Sequence, residues 1–361
     1  MLMKKYIVID MGSSKIKIVH GGMEKDKIVV YEYDIVDTPE GSIQDGKIIN
    51  LDVIVNVIKG VLKKNRIKGK RLVLGITGTG IITRDIQIPK STDEEIEKIL
   101  EFEAQQHFPV LLEDYILDFK VQEEIENDEG VFFRVLLVAV PKEQIDRYMQ
   151  IHKKIDMEIE AIDIPANNFF KLFFGMDYLD RRFGNKELPD EFAVLDIGSR
   201  ATEVHIFSAG KLKFSRILLN GSMDIDELIA NSFNVDFRKA EDLKIKSGRL
   251  IDENDTLDES DEALMMSNII KPAVSNIMNN VNRFFEFYNS RKTGNSLDKI
   301  FICGGGSRLF GMDTFLSSYF GMPVEKLLPF DNIVYKGRKK QEEFIEDYLY
   351  LAGIIGGLLR G

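Results

Sequence analysis

Apolar residues run from Tyr6 to Ile9, stop at Asp10, and then alternate with polar ones through Lys15-Ile16-Lys17-Ile18-Val19. That pattern predicts a buried strand, a tight turn and a half-buried strand, with a second turn at Gly21-Gly22 and a third strand from Lys27 to Tyr33. The same pattern returns past the midpoint: Phe192 to Leu195 is apolar, Asp196 breaks the run, Thr202 to Phe207 alternates, Ala209-Gly210 turns, and Lys211 to Leu219 gives a third strand. Each half therefore opens on a three-stranded meander whose first turn reads Asp-x-Gly-Ser, at Asp10-Met11-Gly12-Ser13 and at Asp196-Ile197-Gly198-Ser199.

Behind each meander the period changes from two to 3.6. Leu51 to Lys64 has helical spacing and is followed by a short buried strand, Leu72 to Ile76. In the second half Asp224 to Phe233 and a long stretch from Ser260 to Lys292 read as helical, with Pro272 starting or kinking a segment. Lys299 to Cys303 is then a strand ending in Gly304-Gly305-Gly306-Ser307. Strands and helices in this order predict an α/β chain of two lobes, 1–190 and 191–361, the second with a helical subdomain at about 221–298.

One block, roughly Ile82 to Asp163, has no visible counterpart in the second half. Pro89 ends a strand, and Thr92 and Glu95 are spaced as a capping box. Ile96, Ile99, Leu100 and Ala104 share a helical face, and Pro109 stops that helix. Tyr115 to Gln122 and Val131 to Val140 are strands, and Lys142 to Lys154 a second helix. The block reads as a small α+β subdomain inserted into the first lobe.

Length agrees with more than one lobe, since 361 residues are many for one core. The net charge of −11 argues against a nucleic-acid partner, which requires a positive surface. The single cysteine, Cys303, allows no disulfide within the chain. No apolar run approaches the roughly 20 residues of a membrane span; the longest, Tyr348 to Leu359, is broken by Gly353, Gly356 and Gly357. A cytoplasmic protein is expected. Four scattered histidines, His20, His107, His152 and His205, show no metal-ligand spacing. The pairs Met265-Met266 and Phe284-Phe285 read as core, the acidic stretch Asp252 to Glu262 as a solvated loop and helix start, and the basic cluster Lys336 to Lys340 as a surface loop.

The two Asp-x-Gly-Ser turns carry the candidate chemistry. A phosphate chain with magnesium needs close backbone N–H groups, and carboxylates to hold a metal that keeps most of its water. Facing hairpins supply both: Asp10 and Asp196 on either side of one metal, and Gly12, Ser13 and Ser14 with Gly198 and Ser199 as N–H donors. Lys15 or Lys17 then reaches the phosphates. A single such turn is common in any protein; two at equivalent places in a duplicated chain are far more specific.

Together these residues resemble the actin, heat-shock-chaperone and sugar-kinase superfamily, a duplicated ribonuclease-H-like fold. The hairpins resemble its two phosphate motifs, Gly304-Gly305-Gly306-Ser307 its adenosine motif, and Ala161 to Phe170 its connecting helix region. An insert at this position is similar to those of the cell-division protein FtsA and the type IV pilus assembly proteins of the PilM family. Ile86-Gln87-Ile88-Pro89, Glu103-Ala104-Gln105-Gln106-His107-Phe108-Pro109 and Leu136-Leu137-Val138-Ala139-Val140-Pro141-Lys142-Glu143 resemble the PilM pattern.

The resemblance implies ATP and magnesium as cofactors. It implies Glu241 and Lys244 at the ribose or adenine edge, where the bland reading is an ordinary charge pair on a solvated helix face. It also implies docking of the cytoplasmic tail of the membrane protein PilN in a groove between the first lobe and the insert. Further partners would be the pilus platform and motor proteins at the inner membrane face, or a second copy of the chain. Arg200 and Ala201 depart from the second phosphate pattern: Arg200 either crowds the backbone approach or meets a phosphate itself. No residue stands out as a catalytic base, so ATP binding is expected and turnover weak or absent. A small-molecule kinase would need an aspartate in the cleft, with Asp163 before Pro165 the one to test; an FtsA-like filament former is the other alternative.

Overall fold

The computed structural model describes residues 4–108, 110–175, 182–183, 186–251, 260–290 and 297–360. Strands β1 (Lys5–Met11), β2 (Lys15–Glu24) and β3 (Lys27–Asp37) form an antiparallel meander. A small hairpin of β4 (Ile43–Gln44) and β5 (Lys47–Ile48), helix α1 (Leu51–Lys64) and β6 (Arg71–Gly75) follow. Next come β7 (Ile82–Pro89), α2 (Asp93–His107), β8 (Tyr115–Asn127), β9 (Gly130–Pro141), α3 (Lys142–Ile155), β10 (Glu158–Asp163) and α4 (Pro165–Phe174). After a hairpin of β11 (Arg182–Phe183) and β12 (Lys186–Glu187), a second meander runs through β13 (Glu191–Ile197), β14 (Thr202–Ser208) and β15 (Lys211–Leu218). Helices α5 (Ser222–Phe233), α6 (Phe237–Ser247) and α7 (Asp261–Ser290) precede β16 (Lys299–Cys303), α8 (Met312–Phe320), β17 (Val324–Lys326), β18 (Ile333–Tyr335) and α9 (Gln341–Ile355).

The two main sheets repeat one topology. The first is ordered β10-β6-β1-β2-β3-β18 and the second β15-β14-β13-β16-β17, so each places the first strand of its meander beside a parallel strand from later in the chain. Both faces of the second sheet are buried. Phe192 and Val194 of β13 face a core shared with the first lobe, while Ala193, Leu195 and Ile197 face a second core with α5, α7 and α8. That is why β13 reads as continuously apolar, not alternating. Helices α4 and α9 pack against each other between the sheets, so closely that a Cβ on Gly356 would lie 1.9 Å from the carbonyl oxygen of Asn168.

Three sequence expectations change here. The insert is shorter than Ile82 to Asp163: its own sheet is β7-β9-β8, covered by α2, and ends at Pro141. Helix α3 buries Tyr148, Ile151 and Ile155 in the first core, and β10 pairs with β6, so both belong to the lobe proper. They are the first lobe's counterparts of α8 and β17. The second lobe does not keep the chain to its end: β18 pairs in parallel with β3, and α9 buries Phe344, Tyr348 and Leu351 in the first core. Of the two readings of Pro272, the start of a segment falls away, because it lies inside α7.

Other local readings are met with one exception. Thr92 and Glu95 form the capping box of α2, and Cys303, Met266 and Phe285 are buried; Met265, read as core, is instead 54% exposed. The basic cluster is paired, Lys336 with Glu24 and Arg338 with Glu32. Pro109, residues 252–259 of the acidic stretch and residues 291–292 lie outside the described residues, as does the side chain of His107. Among the described residues, no helix is long and apolar enough to cross a membrane.

Candidate functional site

The two Asp-x-Gly-Ser hairpins face each other across a cleft of about 440 Å³ between the sheets, a size usual for small-molecule sites. Asp10, Gly12, Ser13, Ser14, Lys15 and Lys17 line one wall, and Asp196, Gly198, Ser199 and Arg200 the other. Glu241, Lys244, Gly304 and Gly305 line it as well.

Each turn is closed by its glycine. Gly12 N–H donates to Lys15 O at 3.0 Å and Gly198 N–H to Ala201 O at 2.9 Å. These amides are committed within the turns, so the expectation that Gly12 and Gly198 themselves donate to a phosphate does not hold. Thr38 Oγ1 donates to Gly12 O at 2.7 Å, and the first amides of α5 donate to Gly198 O and Ser199 O, fixing the first hairpin to the residue after β3 and the second to the start of α5.

The structure separates the two candidate lysines. Lys15 pairs with the exposed Asp37 at the rim. Lys17 lies opposite Asp10 in the β1–β2 register and donates to its Oδ2 at 2.7 Å. Burial by itself would lower the Lys17 pKa, but Asp10, Asp196 and Glu203 together hold it above the ordinary lysine value. A buried lysine kept fully charged beside two carboxylates suits a polyanion with its metal. Asp196 is shifted the other way. Burial, with Glu203 and Asp10 nearby, outweighs Lys17 and pushes its carboxyl up to about 6.

The glycine run divides in two. Gly304 has φ of +82°, and a Cβ there would lie 2.3 Å from Asp196 Oδ1. Its N–H donates to Leu349 O of α9 at 2.7 Å. Gly304 is thus where β16 passes between the carboxylate and α9, and no side chain fits. Gly304→Ala should cost about 1–3 kcal/mol in denaturant unfolding, from the glycine-only backbone alone. A cost within error of zero would show that the turn relaxes freely. Gly306 and Ser307, by contrast, are buried behind the cleft wall, with Ser307 Oγ donating to Gly304 O at 2.7 Å. They support the turn and do not line the site. Lys244 is also less free than expected, since its Nζ donates to Asp226 Oδ2 at 2.6 Å and to Ser222 O at 3.2 Å.

Glu203 was missed by the sequence reading. It lies opposite Asp196 in the β13–β14 register and lines the cleft. Thr77 Oγ1 of the first lobe donates to Glu203 Oε1 at 2.6 Å, and His205 Nε2 stands 3.3 Å from Oε2. Against its burial, His205, Thr77 and Lys17 hold the carboxyl below the ordinary glutamate range. The signal was present: Glu203 follows Asp196 by seven residues (203 − 196), as Lys17 follows Asp10 (17 − 10).

Asp163 does not line the cleft. Its Oδ1 accepts from Ile164 N–H at 3.0 Å and Asn167 Nδ2 at 2.8 Å, and its Oδ2 accepts from Lys171 and Arg360. It sits just before α4, tied to Ile164 and Asn167, and holds cations, so the structure gives no support to a kinase with Asp163 as base. Among the described residues, no cluster of three or more His, Cys, Asp or Glu forms a metal-binding group.

Two sheets of matching topology, hinged by α4 and α9 and carrying facing Asp-x-Gly-Ser hairpins, define an actin-like ATPase fold. Solved structures agree. The ethanolamine utilization protein EutJ from Carboxydothermus hydrogenoformans is 12% identical with a TM-score of 0.58, covering 99% of this chain and 90% of that one. MreB5 of Spiroplasma citri bound to ADP is 14% identical with a TM-score of 0.53, covering 97% and 94%. The sequence model of the type IV pilus assembly protein PilM matches residues 8–361, and the chain belongs to that family. A PilM–PilN type IV pilus biogenesis complex superposes with a TM-score of 0.82 at 22% identity over 99% of both chains. The cell division protein FtsA of Staphylococcus epidermidis is 27% identical over 266 residues; the match spans 67% of this chain and about half, 54%, of that protein.

Proposed function

We propose that this chain binds ATP with magnesium in the interlobe cleft and holds an extended segment of PilN, its cytoplasmic tail, against the insert. Asp10 and Asp196 would hold the hydrated metal, and Lys17 the phosphates with the amides following Gly12 and Gly198. The nucleoside would lie between Glu241 and the Gly304-Gly305 turn. Glu203, the remaining carboxylate of the cleft, is held below the ordinary range and is therefore a poor proton acceptor. Slow turnover follows, with ATP acting as a bound effector. The protein would work in the cytoplasm and reach the membrane through its partner. The platform and motor proteins of the pilus, and self-association, belong to the same reading.

The observation that carries the partner half is β8. Among the described residues it pairs only with β9, leaving an open sheet edge of the kind that accepts an added strand. Tyr115, Leu117 and Phe119 turn to the insert core. Ile116, Asp118 and Lys120 turn to the other face, where Lys120 Nζ lies 3.1 Å from Asn167 Oδ1 and 4.1 Å from the centre of the Phe170 ring on α4. Ile116 is exposed on this face although apolar. A labelled PilN-tail peptide titrated with the chain should show saturable anisotropy, and Ile116→Asp should weaken it at least tenfold. Anisotropy that stays flat with the parent chain would sink the partner reading and leave the cleft untouched.

A further inference from the structure

The insert is built into the first lobe by its chain connections, yet it is hydrogen-bonded to the second. Thr83 Oγ1 of β7 donates to Ser215 O of β15 at 3.3 Å, and the Arg216 guanidinium of β15 donates to Thr83 O at 3.4 Å. Glu123 of β8 pairs with Lys211 of β15. An element attached to both lobes must shear when the lobes move relative to each other.

One of these attachments leads back to the nucleotide cleft through buried polar groups. Ser215 Oγ stands 3.0 Å from His205 Nδ1, and His205 Nε2 3.3 Å from Glu203 Oε2. Glu203 lines the cleft opposite Asp196 and accepts from Thr77 of the first lobe. His205 is 1% exposed, and its ring packs on Phe169 of α4 at 5.2 Å between centres. A cavity of about 90 Å³ lies where the first lobe, the second lobe and the insert meet, lined by Thr77, Thr83, Glu203, His205, Ser215 and Arg216. Packed side chains of this kind shift between discrete arrangements and do not stretch.

We propose that the insert reads the nucleotide through the second lobe, along Glu203, His205 and Ser215 to Thr83 of β7. This rests on the nucleotide reading of the cleft and names how that site regulates the partner groove. Closure on the nucleotide moves β14 and β15 with the second phosphate hairpin. The chain hands that movement to β7, and the three-stranded insert sheet carries it to the open edge of β8. The bias on the groove is limited to the difference in nucleotide affinity between the two lobe arrangements.

The test is amide hydrogen exchange on the full chain with and without magnesium and AMPPNP, in the parent, Ser215→Ala, Thr83→Val and Lys211→Ala. In the parent, exchange should slow at both hairpins and change at least threefold in β7. In Ser215→Ala and Thr83→Val, which keep size while removing one hydroxyl each, hairpin protection should persist and the β7 response should fall below half. Lys211→Ala cuts only the tie outside the buried chain and should keep the response. A β7 response undiminished in Ser215→Ala or Thr83→Val overturns the proposal, as does parent hairpin protection with no change in β7. Absence of hairpin protection in the parent overturns the nucleotide reading, and the proposal with it.

Discussion

Asp196→Asn should lower magnesium-dependent ATP affinity by on the order of 100-fold while making the nucleotide-free protein more stable. The two effects have one cause. Asp196 sits at about 6 because burial and the neighbouring Glu203 and Asp10 disfavour its charge more than Lys17 favours it. A folded pKa above the unfolded value near 3.9 means the native state holds the proton more tightly. The favourable contribution is complete below the unfolded value and lost as pH rises through about 6, so above that the ionised group is a liability of about 3 kcal/mol. Asparagine removes the liability and with it the negative pole proposed for the metal, the usual trade of stability for a poised site. Asp10→Ala should match the binding loss with the opposite effect on stability. Asp10 is the hydrogen-bonded partner of the buried Lys17, and its removal leaves that cation held only by the more distant Asp196 and Glu203. Calorimetry with magnesium–ATP and denaturant unfolding in chelator at pH 7.5 read both. Unchanged affinity in both variants would sink the nucleotide reading. A stability loss in Asp196→Asn would mean its charge is satisfied in the free protein.

The duplication was legible because its two meanders carry period-two patterns of similar length, each ending in the same four-residue turn. What escaped was whatever lacked a local pattern. Strand β17 has three residues and α8 nine, too little to show that α3 and β10 have counterparts. The insert therefore read as longer than it is. Strand β18 also has three residues, and its partner β3 lies about 300 positions earlier, so nothing in its neighbourhood marks the return to the first sheet. Of the candidate site, the residues in the turns were readable, whereas the roles of single amides and side chains were not. Gly12 and Gly198 spend their N–H groups on the turns, and Lys244 is tied to Asp226. Such commitments depend on three-dimensional partners. Glu203 was the avoidable miss, since the seven-residue spacing was in plain sight and only its change of charge relative to Lys17 hid it.

Asp163→Ala should be the most destabilising single change outside the interlobe cleft, by about 3–5 kcal/mol, the cost of stripping a buried cation of its counter-charge. Asp163 is 7% exposed, and Lys171 donates to it at 2.5 Å beside Arg360. Lys120 adds a third positive charge nearby, its field reaching Lys171. One carboxylate thus balances three cations at the joint of β10, α4 and the insert. Burial already lowers the Lys171 pKa; Asp163 opposes that, while Arg360 and Lys120 add to it. In the variant the opposing charge is gone and the lysine gives up its proton at lower pH. The unfolded lysine keeps its proton to about 10.4, so across the widened gap the unfolded state binds more protons and stability rises with pH. The penalty of Asp163→Ala, measured against the parent by denaturant unfolding, should therefore shrink steadily between neutral pH and about 10. A deficit below about 1 kcal/mol at neutral pH, or one flat across that range, would mean solvent already screens the three cations. Magnesium–ATP affinity should hold within about threefold in Asp163→Ala, because the residue does not line the cleft. A collapse of affinity with the fold intact would instead return Asp163 to the site, and with it the phosphoryl-transfer reading that its place behind the cleft now argues against.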